Sequence, residues 1–394
     1  MSRRVFVAGV GMTPFTKPGQ SAAYHVMGAE ATRLALQDAS LDYTAVQQAY
    51  VGYVYGDSTS GQRALYEVGL TGIPIVNVNN NCSSGSTALF LARQAVESGV
   101  VDCALAVGFE QMRPGALGLV FDDRASTMER FDRTADELTG ESSLAATLRY
   151  FGGAGIEHMR RFGTPLSTFA SIRAKASRHA ANNPLAVFRK VLSIEDVLAD
   201  PVLIEGAMTR SMACPPTCGG AAALLVSEEF ARRRGLNVDV ELVAQAMTTD
   251  EAAAFDSRSM IELVGSGMAR RAARQVFEQA GVGPEEVDVC ELHDCFAQNE
   301  LLSYEALGFC KEGEGARFVA DGDNTYGGAV VTNPSGGLLS KGHPLGATGL
   351  AQCFELTQQL RGNAGSRQVP GARVALQHNL GLGGAAVVSL YRRA

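Results

Sequence analysis

One pattern occurs twice in this chain, and few other features would restrict its fold as tightly. From Cys82 the sequence runs C-S-S-G-S-T-A-L and from His343 it runs H-P-L-G-A-T-G-L, so Gly85, Thr87 and Leu89 return as Gly346, Thr348 and Leu350. A second pair of matched stretches, 39–52 and 280–293, each joins a helix end to a short polar turn and a strand-like apolar run. A chain built from two copies of one unit is expected to pack them about a pseudo-twofold axis. Equivalent helix starts then meet at that axis, which sets a thiol beside an imidazole, the pairing that covalent acyl transfer requires.

Strand-like runs at 4–10, 49–54 and 104–107 alternate with helical stretches at 24–38 and 84–98, and the rhythm returns at 240–247, 265–280, 287–292, 347–361 and 373–376. This β-α-β alternation predicts an α/β fold with a largely parallel sheet. The middle of the chain breaks the symmetry: it is rich in Arg, Asp, Ser and Pro, and its helical pieces include 166–180. The expected division is therefore 1–114 for the first half, 115–235 for an insertion and 236–394 for the second half. Insertions of that length commonly carry substrate contacts.

Composition excludes several classes of partner. With 394 residues, 46% hydrophobic and 19% charged, there is ample material for a large core. A net charge of -7 opposes general binding to nucleic acid or to anionic membranes, leaving only local basic patches such as those in RRFG and RAKASRH for a nucleotide phosphate. No apolar run approaches the roughly 18 residues of a membrane span, and the N-terminal stretch turns to Gly, Thr and Pro too early for a secretory signal. Eight cysteines without framework spacing, together with a C-terminal YRRA unlike the S-K-L peroxisomal address, lead us to expect a reduced, cytoplasmic protein of bacterial type.

Four side chains stand out for chemistry. Cys82 follows three asparagines and precedes a helical run, where free amides and the helix dipole are expected to lower a thiol pKa. His343, between Gly342 and Pro344, is the candidate base for that thiol. In H-D-C-F, alternation sets His293 and Cys295 on one face and Asp294 on the other. His-x-Cys lacks the usual paired spacing of a metal site, and Cys214 and Cys218 are weak partners for it, so no metal is expected. Gly381-Leu382-Gly383-Gly384 follows a strand and opens no helix, so it is no dinucleotide fingerprint; it reads as a tight turn whose Gly381 amide can join that of Cys82 in an oxyanion hole.

These residues resemble the thiolase superfamily, and within it the sterol-carrier-protein-linked thiolases, over essentially the whole chain. The likeness rests on N-N-N-C-S-S-G-S-T-A-L at Cys82, E-L-H-D-C-F at 291–296, N-P-S-G-G-L-L-S-K-G-H-P-L-G-A-T-G at 333–349 and L-Q-H-N-L-G-L-G-G at 376–384. It implies a five-layered αβαβα fold of two duplicated halves with an inserted loop domain, assembled as a homodimer or homotetramer. It further implies thiolytic cleavage of a 3-ketoacyl-CoA in lipid β-oxidation, with a straight, 2-methyl-branched or steroid side chain, by Cys82, His293, Cys295 and His343. Coenzyme A is then a cosubstrate, and no tightly bound cofactor is implied. Most thiolases carry the second catalytic cysteine in a late C-x-G motif, where this chain has Asn379, Leu380 and Gly381; Cys295 of H-D-C-F takes that role in the sterol-carrier-linked group. Gly219 stands where family members commonly show aspartate. A thiolase-fold aldolase and a non-catalytic acyl-CoA- or lipid-binding protein are the alternative readings.

Overall fold

The computed structural model describes residues 3–115, 118 and 120–394. Its strands are β1 (Val5–Met12), β2 (Gln48–Gly52), β3 (Ile75–Val78), β4 (Cys103–Glu110), β5 (Val202–Ile204), β6 (Met208–Thr209), β7 (Gly219–Ser227), β8 (Val240–Thr248), β9 (Val289–Glu291), β10 (Val331–Thr332), β11 (Val374–Gly381) and β12 (Ala385–Arg393). Apart from the small β5–β6 hairpin they run in the order β10-β9-β11-β12-β8-β1-β7-β4-β2-β3. The centre of that order is also its weakest seam, since β1 and β8 are joined through the single pair Phe6 and Glu241. Outward from the seam both halves repeat one scheme. In each, two antiparallel pairings come first (β1–β7 and β7–β4; β8–β12 and β12–β11) and two parallel ones follow (β4–β2 and β2–β3; β11–β9 and β9–β10).

Two five-stranded sheets therefore face each other across a shared helical layer. The helices Ser84–Glu97 and Thr348–Arg361 fill that layer, touching each other and strands of both halves, while Tyr24–Asp38 covers the outside of the first sheet and Ser266–Ala280 the outside of the second. This is the expected αβαβα arrangement. β1, β4 and β7 are buried along their whole length, which explains why they read as unbroken apolar runs. The central helices approach closely because their first turns are small. A Cβ on Gly349 would lie 2.1 Å from Ser86 Oγ.

The insertion carries the helices Glu129–Thr139, Ala146–Phe162, Leu166–Ala180 and Ile194–Leu198, the last opened by a capping box between Ser193 and Asp196. It packs mainly on the second half, where Leu166–Ala180 lies against Ala297–Ala306, Gly315–Ala320 and Gly337–Ser340. Its C-terminal limit at 235 needs correction. Residues 219–227 form β7, hydrogen-bonded between β1 and β4, so the chain has already returned to the first sheet by Gly219. A larger residue at 219 would force the Phe15 ring to shift, because a Cβ on Gly219 would lie 2.4 Å from it. Among the described residues no helix is long and apolar enough to cross a membrane.

Candidate active site

Cys82 sits two residues before the helix Ser84–Glu97, after Asn81, whose φ of 51° turns the chain sharply into the helix. His343 stands five residues before the helix Thr348–Arg361, following Gly342 at φ 119°. The duplicated threonines set the local geometry in both copies. Thr87 Oγ1 donates to Ser83 O and Thr348 Oγ1 to Pro344 O, each at 3.0 Å, and each bond folds the segment ahead of the helix back onto its first turn. His293 comes from the turn after β9, where Asp294 faces away and accepts from the Leu338 and Leu339 amides. Cys82 Sγ and one ring nitrogen each of His293 and His343 all lie within 4.8 Å of one another, and the two rings meet edge to face at 5.1 Å.

Hydrogen bonding sets a different role for each ring. Because the Thr348 hydroxyl proton goes to Pro344 O, its oxygen accepts from His343 Nδ1–H (2.6 Å), and His343 Nε2 is left as a buried lone pair without a partner among the described residues. At His293 the polarity reverses. Asn379 Nδ2 can only donate, so His293 Nδ1 accepts (3.0 Å) and the ring proton resides on Nε2. One imidazole is a base and the other a donor. A thiol with two imidazoles is also a zinc donor set, but a metal needs a lone pair from each ring, and His293 has committed its own to Asn379.

Cys82 departs from the sequence expectation. Burial outweighs the helix terminus and pushes its thiol up to about 12; the nearby Glu110 charge adds to the rise, and the amides of Cys82 and Leu382 oppose it. Burial likewise brings His343 down to about 3. The resting pair is therefore a neutral thiol and a neutral imidazole, and the proton moves only as a bond forms at sulfur. Glu110 itself, raised to about 7 by burial, accepts from the amides of Val54, Tyr55 and Gly346 and pins the segment after His343 to the first half.

Cys295 is buried and its thiol is pushed well above the ordinary range by burial, with Cys214 and Cys82 as charged neighbours were they to ionise. Cys214, whose amide donates to Cys295 O (2.9 Å), is a third thiol at this site that the sequence offers only as a weak metal partner, and Cys218 packs with Met112 and Leu345 in a small cluster that Cys82 borders. Gly381 ends β11 against the Cys82 segment, where a Cβ would fall 2.2 Å from Asn80 O. The amide that faces the Cys82 sulfur from this turn is that of Leu382. The basic side chains read as phosphate ligands divide: Arg173, Lys175 and His179 are buried and hold Ser340, Glu300 and Asn333, so they cannot meet a phosphate, while Arg160, Arg161 and Arg178 remain exposed.

Comparison with known proteins agrees with this geometry. Residues 5–191 match the family model described as "Thiolase, N-terminal domain", and residues 251–392 match "Thiolase C-terminal domain-like". The chain is 54% identical over 393 residues to "Sterol carrier protein 2" of Oryctolagus cuniculus, covering 99% of this chain and 72% of that protein. Among solved structures, the "Ltp2-ChsH2(DUF35) aldolase" superposes with a TM-score of 0.83 at 21% identity, over 99% of this chain and 98% of that one. Human mitochondrial 3-ketoacyl-CoA thiolase in complex with CoA gives 0.73 at 19%, over 100% and 98%.

Proposed function

The chain belongs to the thiolase family, and on that premise we propose that it catalyses CoA-dependent thiolysis of a 3-ketoacyl-CoA. The observation that carries the reading is the convergence of an acceptor nitrogen (His343), a donor nitrogen (His293) and two thiols (Cys82, Cys295) in one buried site. His343 Nε2 takes the proton of Cys82 as sulfur attacks the 3-keto carbon, and the oxygen that becomes negative receives the N–H of His293. The C2–C3 bond then breaks with its electron pair on C2, which Cys295 protonates to release acetyl-CoA, or propionyl-CoA from a 2-methyl substrate. The Cys295 thiolate next removes the proton of incoming CoA, whose sulfur attacks the acyl-Cys82 thioester. The shortened acyl-CoA leaves and the Cys82 thiolate is regenerated opposite protonated His343. In this second step the amides of Cys82 and Gly381 are assigned to the thioester oxygen, with Leu382 as a further donor of the same turn.

Assembly as a homodimer or homotetramer belongs to the same proposal, supported by the open edge of β3, where Val76 is exposed. The test is a thiolysis assay with purified protein, CoA and short, long, 2-methyl-branched and steroid 3-ketoacyl-CoAs, read by loss of ketoacyl-CoA and gain of two acyl-CoA products. Turnover that vanishes in both Cys82→Ala and Cys295→Ala supports the reading. Release of a free aldehyde or ketone from the corresponding 3-hydroxyacyl-CoA, without CoA consumption, would instead mark an aldolase, and binding without turnover a lipid-binding protein.

A further inference from the structure

His293 is held in its donor form by a buried chain of hydrogen bonds that begins more than a residue layer away. Tyr391 Oη donates to Gln377 Oε1; Gln377 Nε2 donates to Gly349 O (2.7 Å) and to Ser86 Oγ (2.9 Å); Ser86 Oγ donates to Asn379 Oδ1 (2.8 Å); and Asn379 Nδ2 donates to His293 Nδ1 (3.0 Å). Each member directs the next. Since Tyr391 engages the Gln377 carbonyl, the Gln377 amine must face Ser86, whose hydroxyl proton can then go only toward Asn379. With the Asn379 oxygen taken, its amine is the group that meets His293. Tyr391, Gln377, Ser86 and Asn379 are fully buried, so water offers none of them an alternative partner. Residues of both halves take part, Ser86 from the first and Asn379, Gln377 and Tyr391 from the second.

We propose that Asn379, oriented by Ser86 and Gln377, is a positioning residue that fixes His293 as the Nε2–H tautomer, committing that ring to oxyanion stabilisation and denying it to base catalysis and to metal. An apolar residue at 379 can neither accept from Ser86 nor donate to His293. The use made of the donor rests on the thiolysis proposed above; the tautomer does not.

Asn379→Asp separates this role from a merely structural one. The carboxylate keeps the shape and still accepts from Ser86, but it offers His293 Nδ1 an acceptor, so the ring proton moves to Nδ1 and Nε2 becomes a lone pair. The titratable groups around His293 are His343, Cys82, His378 of β11 and Cys295, with Asp294 turned to the Leu338 and Leu339 amides. None of these supplies an anion comparable with the new carboxylate, which should raise the pKa of His293. Loss of one oxyanion donor costs about 10²–10³ in kcat. Asn379→Asp should therefore lose about that factor above neutral pH and recover as pH falls, when imidazolium again carries a proton on Nε2. It should also gain inhibition by added zinc, absent from the unsubstituted protein.

Long-range ¹H–¹⁵N spectra of histidine-labelled protein read the tautomer directly, with His293 assigned by its substitution. The expected result is Nε2–H in the natural protein, Nδ1–H in Asn379→Asp and a mixture in Ser86→Ala. Nδ1–H in the natural protein, or an unchanged tautomer in Asn379→Asp, overturns the proposal. Should Asn379→Asp not fold, Ser86→Ala decides alone, a pure Nε2–H form in it counting against control by the chain. A natural protein with the Nε2–H tautomer but no thiolysis would refute the functional reading and leave this one standing.

Discussion

Replacing Thr348 by valine tests whether His343 is a base because of the hydrogen bond behind it. Thr348 is buried, and valine keeps its shape while deleting the hydroxyl that accepts from His343 Nδ1–H and donates to Pro344 O. The orphaned N–H then carries an unpaired-donor penalty of about 1–3 kcal/mol. The ring can escape that penalty by moving its proton to Nε2, where it faces the Cys82 thiol and can no longer accept from it. The productive tautomer thus becomes the minor one by about the same free energy, and at 1.36 kcal/mol per factor of ten, acylation of Cys82 should slow about 5- to 150-fold. Rapid mixing with a 3-ketoacyl-CoA, quenching and intact-mass detection of the acyl-enzyme measures this step apart from later ones. KM should change little, because the hydroxyl has no path to substrate. Thr348→Ser restores the hydroxyl and should return the rate to near its natural value. Acylation of Thr348→Val within about twofold of the natural protein would refute the assignment of His343 as a base held through Nδ1.

Three further outcomes follow from particular contacts. Cys295→Ala should lower thiolysis by about 10²–10⁴ for loss of a general acid and base, while Cys82 remains alkylated by iodoacetamide at a near-natural rate. Burial holds His378, both of whose ring nitrogens lack partners among the described residues, down to about 4, so between pH 4 and 6.5 the unfolded chain binds the extra proton and stability falls as pH falls. Relative to His378→Phe, which lacks this term, the natural protein should lose about 1.4 kcal/mol per pH unit below about 6.5 in chemical denaturation, and parallel curves would show that the buried ring contributes none of it. Gly349→Ala drives a methyl into Ser86 and should destabilise the protein by about 1–3 kcal/mol or more, with activity falling too because Ser86 belongs to the hydrogen-bond chain behind His293; an unchanged melting temperature would contradict the close approach of the two central helices.

What could be read in advance follows from what local sequence encodes. Helices at 24–38, 84–98, 166–180 and 347–361 were expected from periodicity, and the structure has them at Tyr24–Asp38, Ser84–Glu97, Leu166–Ala180 and Thr348–Arg361. The meeting of the Cys82 and His343 segments was legible because duplication implies symmetry. β7 was misassigned because polar composition on both sides of GGAAALLVS outweighed the apolar run itself, although nine consecutive apolar or small residues are the signature of a strand covered on both faces. The Cys82 thiol was misjudged for a different reason. A helix terminus is visible in sequence, but desolvation is a property of everything packed around the sulfur, and here it exceeds the terminal amides. Arg173, Lys175 and His179 failed as phosphate ligands on the same ground, since their charge is evident locally and their burial is not. Ser86 leaves no signal of its own, and Asn379 stands out only as the residue in place of the C-x-G cysteine, because their function lies in the direction of a hydrogen bond between halves.

The duplication also explains how one ancestral turn came to perform two tasks. In both copies a threonine, Thr87 one turn into its helix and Thr348 at the start of its own, bonds back to the carbonyl four residues earlier, so its oxygen is left with spare acceptor capacity facing the segment that precedes the helix. In the first copy that capacity is taken by Asn80 Nδ2 (3.1 Å), a group that cannot titrate, and the turn presents the half-buried Cys82. In the second copy it is taken by His343 Nδ1, and the same acceptor now decides which nitrogen of a ring keeps its lone pair. The scaffold is common to both, and the difference between nucleophile and base lies in which side chain occupies the threonine. Exchange of Thr87 for valine should accordingly loosen the Asn80–Cys82 turn without altering any protonation state, so its effect on acylation should be independent of pH. The same exchange at Thr348 alters a tautomer, and the contrast between the two copies measures how much of the catalytic asymmetry comes from the histidine alone.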